Sequence, residues 1–260
     1  MFDDFYQNIS QVENADLESI LDVPFVPTDD RLVRQMIELA GVNEKDLVYD
    51  LGCGDGRIVV TAARDYGARG VGIDKDPERL EEARDLAKWN GVRHMLALIE
   101  EDLLLVDISK ATVVMLYLLP ALNLELRPKL LNDLEPGARI VSHDFDMADW
   151  QPDKRVVYDD GTLLLWIVPA KVAGTWEWRE SDDRVYRVVL EQEFQRVSGE
   201  AWINDQPAQI HSVHLRGKHL KFVIQADEAA PPQEFACRYE NDRLVPKAGS
   251  GQVSVGRRVA

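Results

Sequence analysis

Apolar positions fall into two textures along this chain, and the change comes near Pro169. Before it, short apolar runs alternate with stretches of helical period. Leu47-Val48-Tyr49-Asp50 reads as a buried strand, and Arg69 to Ile73, Met95 to Ile99, Thr112 to Leu116, Arg139 to Ser142 and Leu163 to Val168 read as further strands. Leu32, Met36, Leu39 and Ala40 form the stripe of a helix that Gly41 stops, with Thr28 as its N-cap and Asp29 and Asp30 in its first turn. A second helix runs from about Arg57 to Tyr66, and a third opens at Pro77 behind the cap residue Asp76. Leu122 to Leu134 is helical in period, and Pro128 predicts a break there into two pieces. Strands alternating with helices at this spacing predict an α/β fold with a doubly wound, mostly parallel sheet.

After Pro169 the period shortens to two. Tyr186, Val188, Leu190 and Phe194 alternate with more polar positions, as do Leu220, Phe222 and Ile224, and turn residues recur at Gly199, Asn204 to Pro207 and Gly217. This predicts a small all-β module of about six to eight strands, with Trp176 and Trp178 in its core. At the other end, residues 1–22 are polar and acidic and predict an arm or a short helix. Val23-Pro24-Phe25-Val26-Pro27 must be extended, since each proline drives its predecessor out of the α region. The expected division is therefore 1–22, an α/β domain over 23–170, and a β domain over 171–260 that shapes substrate access.

Of the 260 residues 45% are apolar and 29% charged, enough for a real core and too much for bulk disorder. The longest apolar run, Ala111 to Leu122, is broken by Thr112 and Pro120 and is shorter than the about 20 residues a membrane helix needs. No membrane span is expected. No Lys or Arg precedes Arg31, and there are two cysteines, Cys53 and Cys237, so neither a secretory leader nor a disulfide framework is expected and the cytoplasm is the expected compartment. The net charge of −16 is lopsided. Residues 1–170 hold 17 basic and 33 acidic side chains, and residues 171–260 hold 13 of each. A phosphate backbone would be repelled by the first part, so nucleic acid is not an expected partner, while a basic or lysine-bearing protein segment is electrostatically favoured.

Candidate chemistry gathers at Asp50-Leu51-Gly52-Cys53-Gly54-Asp55-Gly56, an acid-led triple-glycine loop between a strand and a helix. Such loops turn sharply and let a ligand lie against the backbone at the carboxyl end of the sheet. A nicotinamide loop from Gly52 would need a small residue at 57, where Arg57 stands, and there is no Gly-Lys-Ser/Thr of a P-loop. The loop resembles that of class I S-adenosylmethionine (SAM) methyltransferases, and the resemblance extends from Val23 to about Pro169. Asp74 ends the second strand, where an acid suits both ribose hydroxyls, and Asp102 follows the third, near where the family places the adenine. After the fourth strand the sequence is Leu116-Tyr117-Leu118-Leu119-Pro120, not the Asn/Asp-Pro-Pro-Tyr/Phe of nucleobase and glutamine methyltransferases. Together with Val23 to Thr28 and Ser142-His143-Asp144-Phe145, it is similar to the archaeal protein lysine methyltransferase and ATP-synthase c-subunit lysine methyltransferase group.

That resemblance implies a Rossmann-like seven-stranded methyltransferase fold and a SAM cofactor leaving as S-adenosylhomocysteine. It implies cofactor contacts from Thr28, Asp50, Gly52, Cys53, Gly54, Gly56, Asp74, Lys75, Asp102 and Leu103, and a protein lysine as acceptor. The chain departs from the group in its β module and in ending its second strand Gly72-Ile73-Asp74. A small-molecule methyltransferase and a SAM-binding regulator without turnover stand as alternatives. Tyr117 and Asp144, at the ends of the fourth and fifth strands, are the candidates for the acceptor channel. No metal is expected: His211 and His214 point to opposite faces of a strand unless a bulge intervenes. His214 and His219 would have to meet across the Arg216-Gly217 turn, and His143-Asp144 suits a substrate-lining loop better than a Mg²⁺ site. The sequence leaves the oligomeric state open.

Overall fold

A computed structural model describes residues 27–159, 161–247 and 254–259. The expected arm over 1–22 and the extended run from Val23 lie outside the described residues, apart from Pro27. The first half is a seven-stranded sheet formed by β1 (Leu47–Leu51), β2 (Arg69–Asp74), β3 (Leu96–Glu100), β4 (Val113–Leu116), β5 (Arg139–His143), β6 (Lys154–Tyr158) and β7 (Gly161–Ile167). Its order is β3-β2-β1-β4-β5-β7-β6. The first five strands are parallel, and β7 runs antiparallel to both β5 and β6. The sheet therefore reverses its winding between β1 and β4, the crevice where open α/β sheets hold ligands.

The period-two pattern explains the layers. Val48, Val113, Met115, Val141, Leu163 and Leu165 bury one face against α1 (Asp30–Ala40) and α2 (Arg57–Tyr66). Leu51, Val114, Leu116, Ile140, Leu164 and Trp166 bury the other against Leu126 and Leu130 of α4 (Pro120–Asp133). Helix α3 (Pro77–Trp89) contributes Ala87 to a cluster with Val59, Val60 and Ala63 of α2.

The second half closes into a barrel of eight antiparallel strands: β8 (Gly174–Arg179), β9 (Val185–Glu193), β10 (Arg196–Ile203), β11 (Gln206–Arg216), β12 (His219–Gln225), β13 (Gln233–Glu240), β14 (Arg243–Pro246) and β15 (Gly256–Val259). Trp176, Trp178, Tyr186, Phe222 and Phe235 fill its interior, with the Trp178 and Tyr186 rings stacked at 5.3 Å. Closure removes the exposed edges an open sheet would carry.

The barrel joins the sheet at the end where β5 begins and β7 finishes. Ala170 N donates to Gly217 O at 2.9 Å, and Lys218 pairs with Glu135 at 3.2 Å. Phe194, expected as a barrel strand residue, lies beyond β9 and stacks on Trp150 at 5.8 Å, while Trp150 Nε1 donates to Gln195 Oε1 at 3.0 Å. This is opposite to the end where the glycine loop lies, so the barrel's contacts do not place it over the expected site.

Several local expectations are corrected. Asp29, not Thr28, caps α1, its carboxylate accepting from Arg31 N at 2.8 Å. Pro128 sits inside one continuous α4 instead of starting a second piece. Strand β6, exposed at Lys154, Arg155 and Val157, has no counterpart among the expected elements. Met95 belongs to a 3₁₀ turn before β3.

Asp46 ties together the starts of β1, β4 and β5. Its buried carboxylate accepts from Thr112 Oγ1 (2.7 Å), from Asn43 N (3.0 Å) and from Arg139, whose guanidinium also donates to Ala40 O at 2.8 Å. Removing one partner strands the other in a poorly solvated place. Asp46→Ala is expected to lose about 3 kcal/mol of stability, read as a lower urea midpoint at unchanged slope.

Candidate functional site

Three consecutive amides of the glycine loop are held by the end of β2. Gly52 N and Cys53 N both donate to Ile73 O at 2.9 Å, and Gly54 N donates to Asp74 Oδ2 at 2.8 Å. Asp74 Oδ1 accepts from Asp76 N at 3.0 Å, fixing the carboxylate from its other side. Following this path requires left-handed backbone at Gly52, Gly54 and Gly56, with φ of 82°, 52° and 73°. It also requires Gly72 beneath the loop, where a Cβ would lie 2.8 Å from Cys53 Sγ.

The loop is acidic and dry at its base. Burial, followed by the nearby charges of Asp74 and Asp55, pushes the Asp50 carboxyl up to about 8. Asp50 Oδ2 is buried without a hydrogen-bond partner. Burial likewise pushes the Cys53 thiol up, so it is no ready nucleophile at neutral pH. Asp55 is already neutralised: Arg57 Nη2 lies 2.6 Å from its Oδ2, while Arg57 Nη1 donates to Thr28 O at 2.7 Å. Lys75 pairs with Asp102 at 2.7 Å, and that contact holds the Asp102 carboxyl below its usual range. Leu103 is half-buried against the sheet core.

Tyr117 and Asp144 meet at the ends of β4 and β5. The Tyr117 ring stacks on His143 at 4.0 Å and on Phe145 at 6.3 Å, and His143 Nε2 lies 3.3 Å from Asp144 Oδ2. Asp144 adopts a left-handed φ of 63°, held because its N–H donates to Thr162 O and its Oδ1 accepts from Thr162 N, both at 2.7 Å. Behind it, the buried Asn123 donates to Phe145 O at 3.2 Å. Leu118 lines the inner side, since a Cβ on Gly52 would lie 2.9 Å from its Cδ2.

The expected loop, Asp74, Lys75, Asp102, Tyr117 and Asp144 thus share the carboxyl edge of the sheet. Sequence reasoning misses His143 and Phe145 as ring partners of Tyr117. The signal lies in the register, since Leu116 pairs with Ser142 and the next residues on both strands are Tyr117 and His143. Among the described residues no group of three His, Cys, Asp or Glu is placed to hold a metal. A bulge does fall between His211 and His214, which are both exposed. His214 pairs with Lys221 and His219 with Arg216, so His214 and His219 do not face each other across the turn.

Sheet order and an acid-led glycine loop define a Rossmann-like methyltransferase. A family model described as the ANTKMT methyltransferase domain matches residues 50–154. The chain is 44% identical over 151 residues to a protein-lysine N-methyltransferase of Saccharolobus islandicus, covering 56% of this chain and 94% of that protein. It is 32% identical over 158 residues to the human ATP-synthase c-subunit lysine N-methyltransferase, covering 61% of this chain and 65% of that protein. A solved structure from Salinibacter ruber, described as an RNA methyltransferase in complex with S-adenosyl-L-homocysteine, is 51% identical with a TM-score of 0.56, covering 56% of this chain and 96% of that one. The chain belongs to the protein-lysine N-methyltransferase family of SAM-dependent enzymes.

The raised Asp50 carboxyl has a consequence for stability. Between its unfolded value of about 4 and its folded value of about 8, the folded protein binds the extra proton. Asp50 therefore stabilises the fold fully below pH about 4, and that contribution is lost as pH rises through about 8. Asp50→Asn, which stays neutral, is expected to flatten the fall in stability over this range and to exceed the wild type at pH 8, as read by urea unfolding at several pH values.

Proposed function

We propose that this chain transfers the methyl group of SAM to the ε-amine of a lysine in a protein. The observation that carries the reading is the 44% identity to the archaeal protein-lysine N-methyltransferase over 94% of that protein's length. In this proposal the loop from Asp50 to Gly56 holds the cofactor with Asp74, and Lys75–Asp102 flanks it at the end of β3. The chemistry of the donor set fits. SAM carries a sulfonium and an ammonium, and Asp50 offers a buried carboxyl oxygen with no hydrogen-bond partner, which a bound cation would favour in its ionised form. Each Asp74 oxygen, already receiving one backbone N–H, keeps acceptor capacity for a hydroxyl.

When bound, SAM supplies a methyl group already activated for transfer, so the chain needs no covalent nucleophile. Its task is to bring the amine into line and to strip its water and proton. A lysine amine has a reference pKa of about 10.4, and apolar surroundings favour its neutral form. The Tyr117, His143 and Phe145 rings supply such a wall, and Asp144, locked by Thr162, stands beside it as the group to orient or relieve the incoming ammonium.

A second reading, RNA as acceptor, is favoured by the description of the Salinibacter ruber relative. The two separate in one experiment: labelled SAM is incubated with protein and lysate, half is treated with ribonuclease, and the modified product is identified by mass spectrometry. Label on lysine that survives ribonuclease supports the protein reading. Label on nucleotides, or on a small metabolite alone, ends it.

Two variants test the assignments. Asp74→Ala is expected to weaken SAM binding at least tenfold by calorimetry, since two hydrogen bonds from the loop side are lost with any made to the ribose. Tyr117→Phe keeps the ring and is expected to lower kcat several-fold with the KM for SAM unchanged. The acidic first half is expected to raise the KM for a basic acceptor as salt is added, more than it lowers kcat, because added ions shorten the Debye length from about 10 Å at 0.1 M to about 3 Å at 1 M.

A further inference from the structure

Strands β5 and β6 both run antiparallel to β7, so the chain between them, residues 144–153, has to cross back over the sheet. Its first residues, Asp144 and Phe145, line the acceptor end of the sheet. Helix α4 holds the next stretch from one side. Asn123 Nδ2 donates to Phe145 O at 3.2 Å, and Arg127 Nη1 donates to Met147 O at 2.8 Å. The spacing fits, because a turn of helix rises about 5.4 Å and two residues of extended chain span about 6.6 Å. Met147 and Trp150 are fully buried, and Trp166 Nε1 donates to Trp150 O at 2.7 Å.

The barrel takes hold of the same segment with the two residues that join β9 to β10. The Phe194 ring stacks on Trp150 at 5.8 Å, and the Arg127 guanidinium lies over it at 5.6 Å. Gln195 accepts from Trp150 Nε1 at 3.0 Å and donates to Gln151 O at 2.7 Å. A two-residue hairpin turn with positive φ at its first position favours glycine there, yet Phe194 stands in it at φ 53°. Of the described non-glycine residues with positive φ, all but Ala148, Phe194 and Ser212 are Asp or Asn, which tolerate that region. Ala148 belongs to the crossing segment, and Phe194 to the turn that clasps it. A turn selected for barrel stability alone would carry glycine at this place. What the phenylalanine adds is its ring, and the ring meets the crossing segment and the arginine that holds it.

We propose that Phe194 and Gln195 are positioning residues for methyl transfer: through Arg127 and Trp150 they fix the course of residues 145–151, and with it the Phe145 ring and Asp144 against which the acceptor amine is aligned. The barrel acts on the acceptor side without covering it. The inference rests on the placing of the acceptor beside Tyr117, Asp144 and Phe145. A misplacement of about 1 Å in such a wall can cost about a hundredfold in rate, so loosening it is read in turnover. The glycine loop is held separately, by Ile73 O and Asp74, so cofactor affinity is expected to stay unchanged when the turn is altered.

The test uses the full chain and the variant Phe194→Gly, because glycine suits the turn and removes only the ring. At saturating SAM, the initial rate of label transfer to lysate protein is expected to fall at least fivefold, with SAM affinity by calorimetry within twofold of wild type. Phe194→Tyr, which keeps the ring, is expected to restore the rate to within twofold. Hydrogen exchange gives a readout that needs no acceptor: amides of residues 144–151 are expected to exchange at least tenfold faster in Phe194→Gly, and those of Gly52, Cys53 and Gly54 at the wild-type rate. A wild-type transfer rate in Phe194→Gly, or unchanged exchange over 144–151, would overturn the proposal. So would a matching loss of SAM affinity, which would make the turn a prop for the whole fold. If the wild type labels something other than lysine, the lysine reading fails, while the rate ratio on that product and the exchange contrast still decide the inference.

Discussion

The end of β2 governs the site. One carbonyl, Ile73 O, and one carboxylate, Asp74, receive the amides of Gly52, Cys53 and Gly54 in succession. Without that grip the loop would have no reason to fold back over the sheet, and α2 would leave β1 in another direction. Gly72 makes the approach sterically possible, and Asp76 N locks the carboxylate that completes it. The same turn drives Asp50 into a dry position next to other acids, so the geometry that presents the backbone to a ligand also creates the demand for a positive one.

That demand organises charge over the rest of the molecule. Asp55 is answered by Arg57 and Asp102 by Lys75, whereas Asp50 and Asp74 have no salt bridge among the described residues. On the barrel the pairing is as close, with Arg196 answered by Glu193 and Arg238 by Glu240.

Much of the sheet is legible in the sequence, because parallel strands buried on both faces leave dense apolar runs and because Gly67 and Asp76-Pro77 punctuate the helices in standard ways. The loop is legible for the same local reason. What escapes has non-local causes. β6 is an edge strand exposed on one side, so its apolar signal is weak. Pro128 reads locally as a break, yet α4 carries it inside one helix, and the burial of Leu126 and Leu130 on either side shows tertiary packing outweighing local preference. His143 and Phe145 become visible as partners of Tyr117 only once β4 and β5 are set in register, which no pattern of residue types records.

The placing of the six tryptophans gives the protein a layered set of internal fluorophores. Trp176 and Trp178 sit within the barrel, Trp150 and Trp166 lie where the barrel meets the sheet, and Trp89 stands 87% exposed at the end of α3. Trp202, beneath Arg187 at 4.9 Å, marks the barrel's outer wall. Burial is expected to keep the emission of the buried pairs blue and shielded from aqueous quenchers, and exposure to make that of Trp89 red and readily quenched. Iodide is therefore expected to quench Trp89 first and Trp202 in part, leaving the barrel core and its seam as the shielded emission of the unlabelled chain.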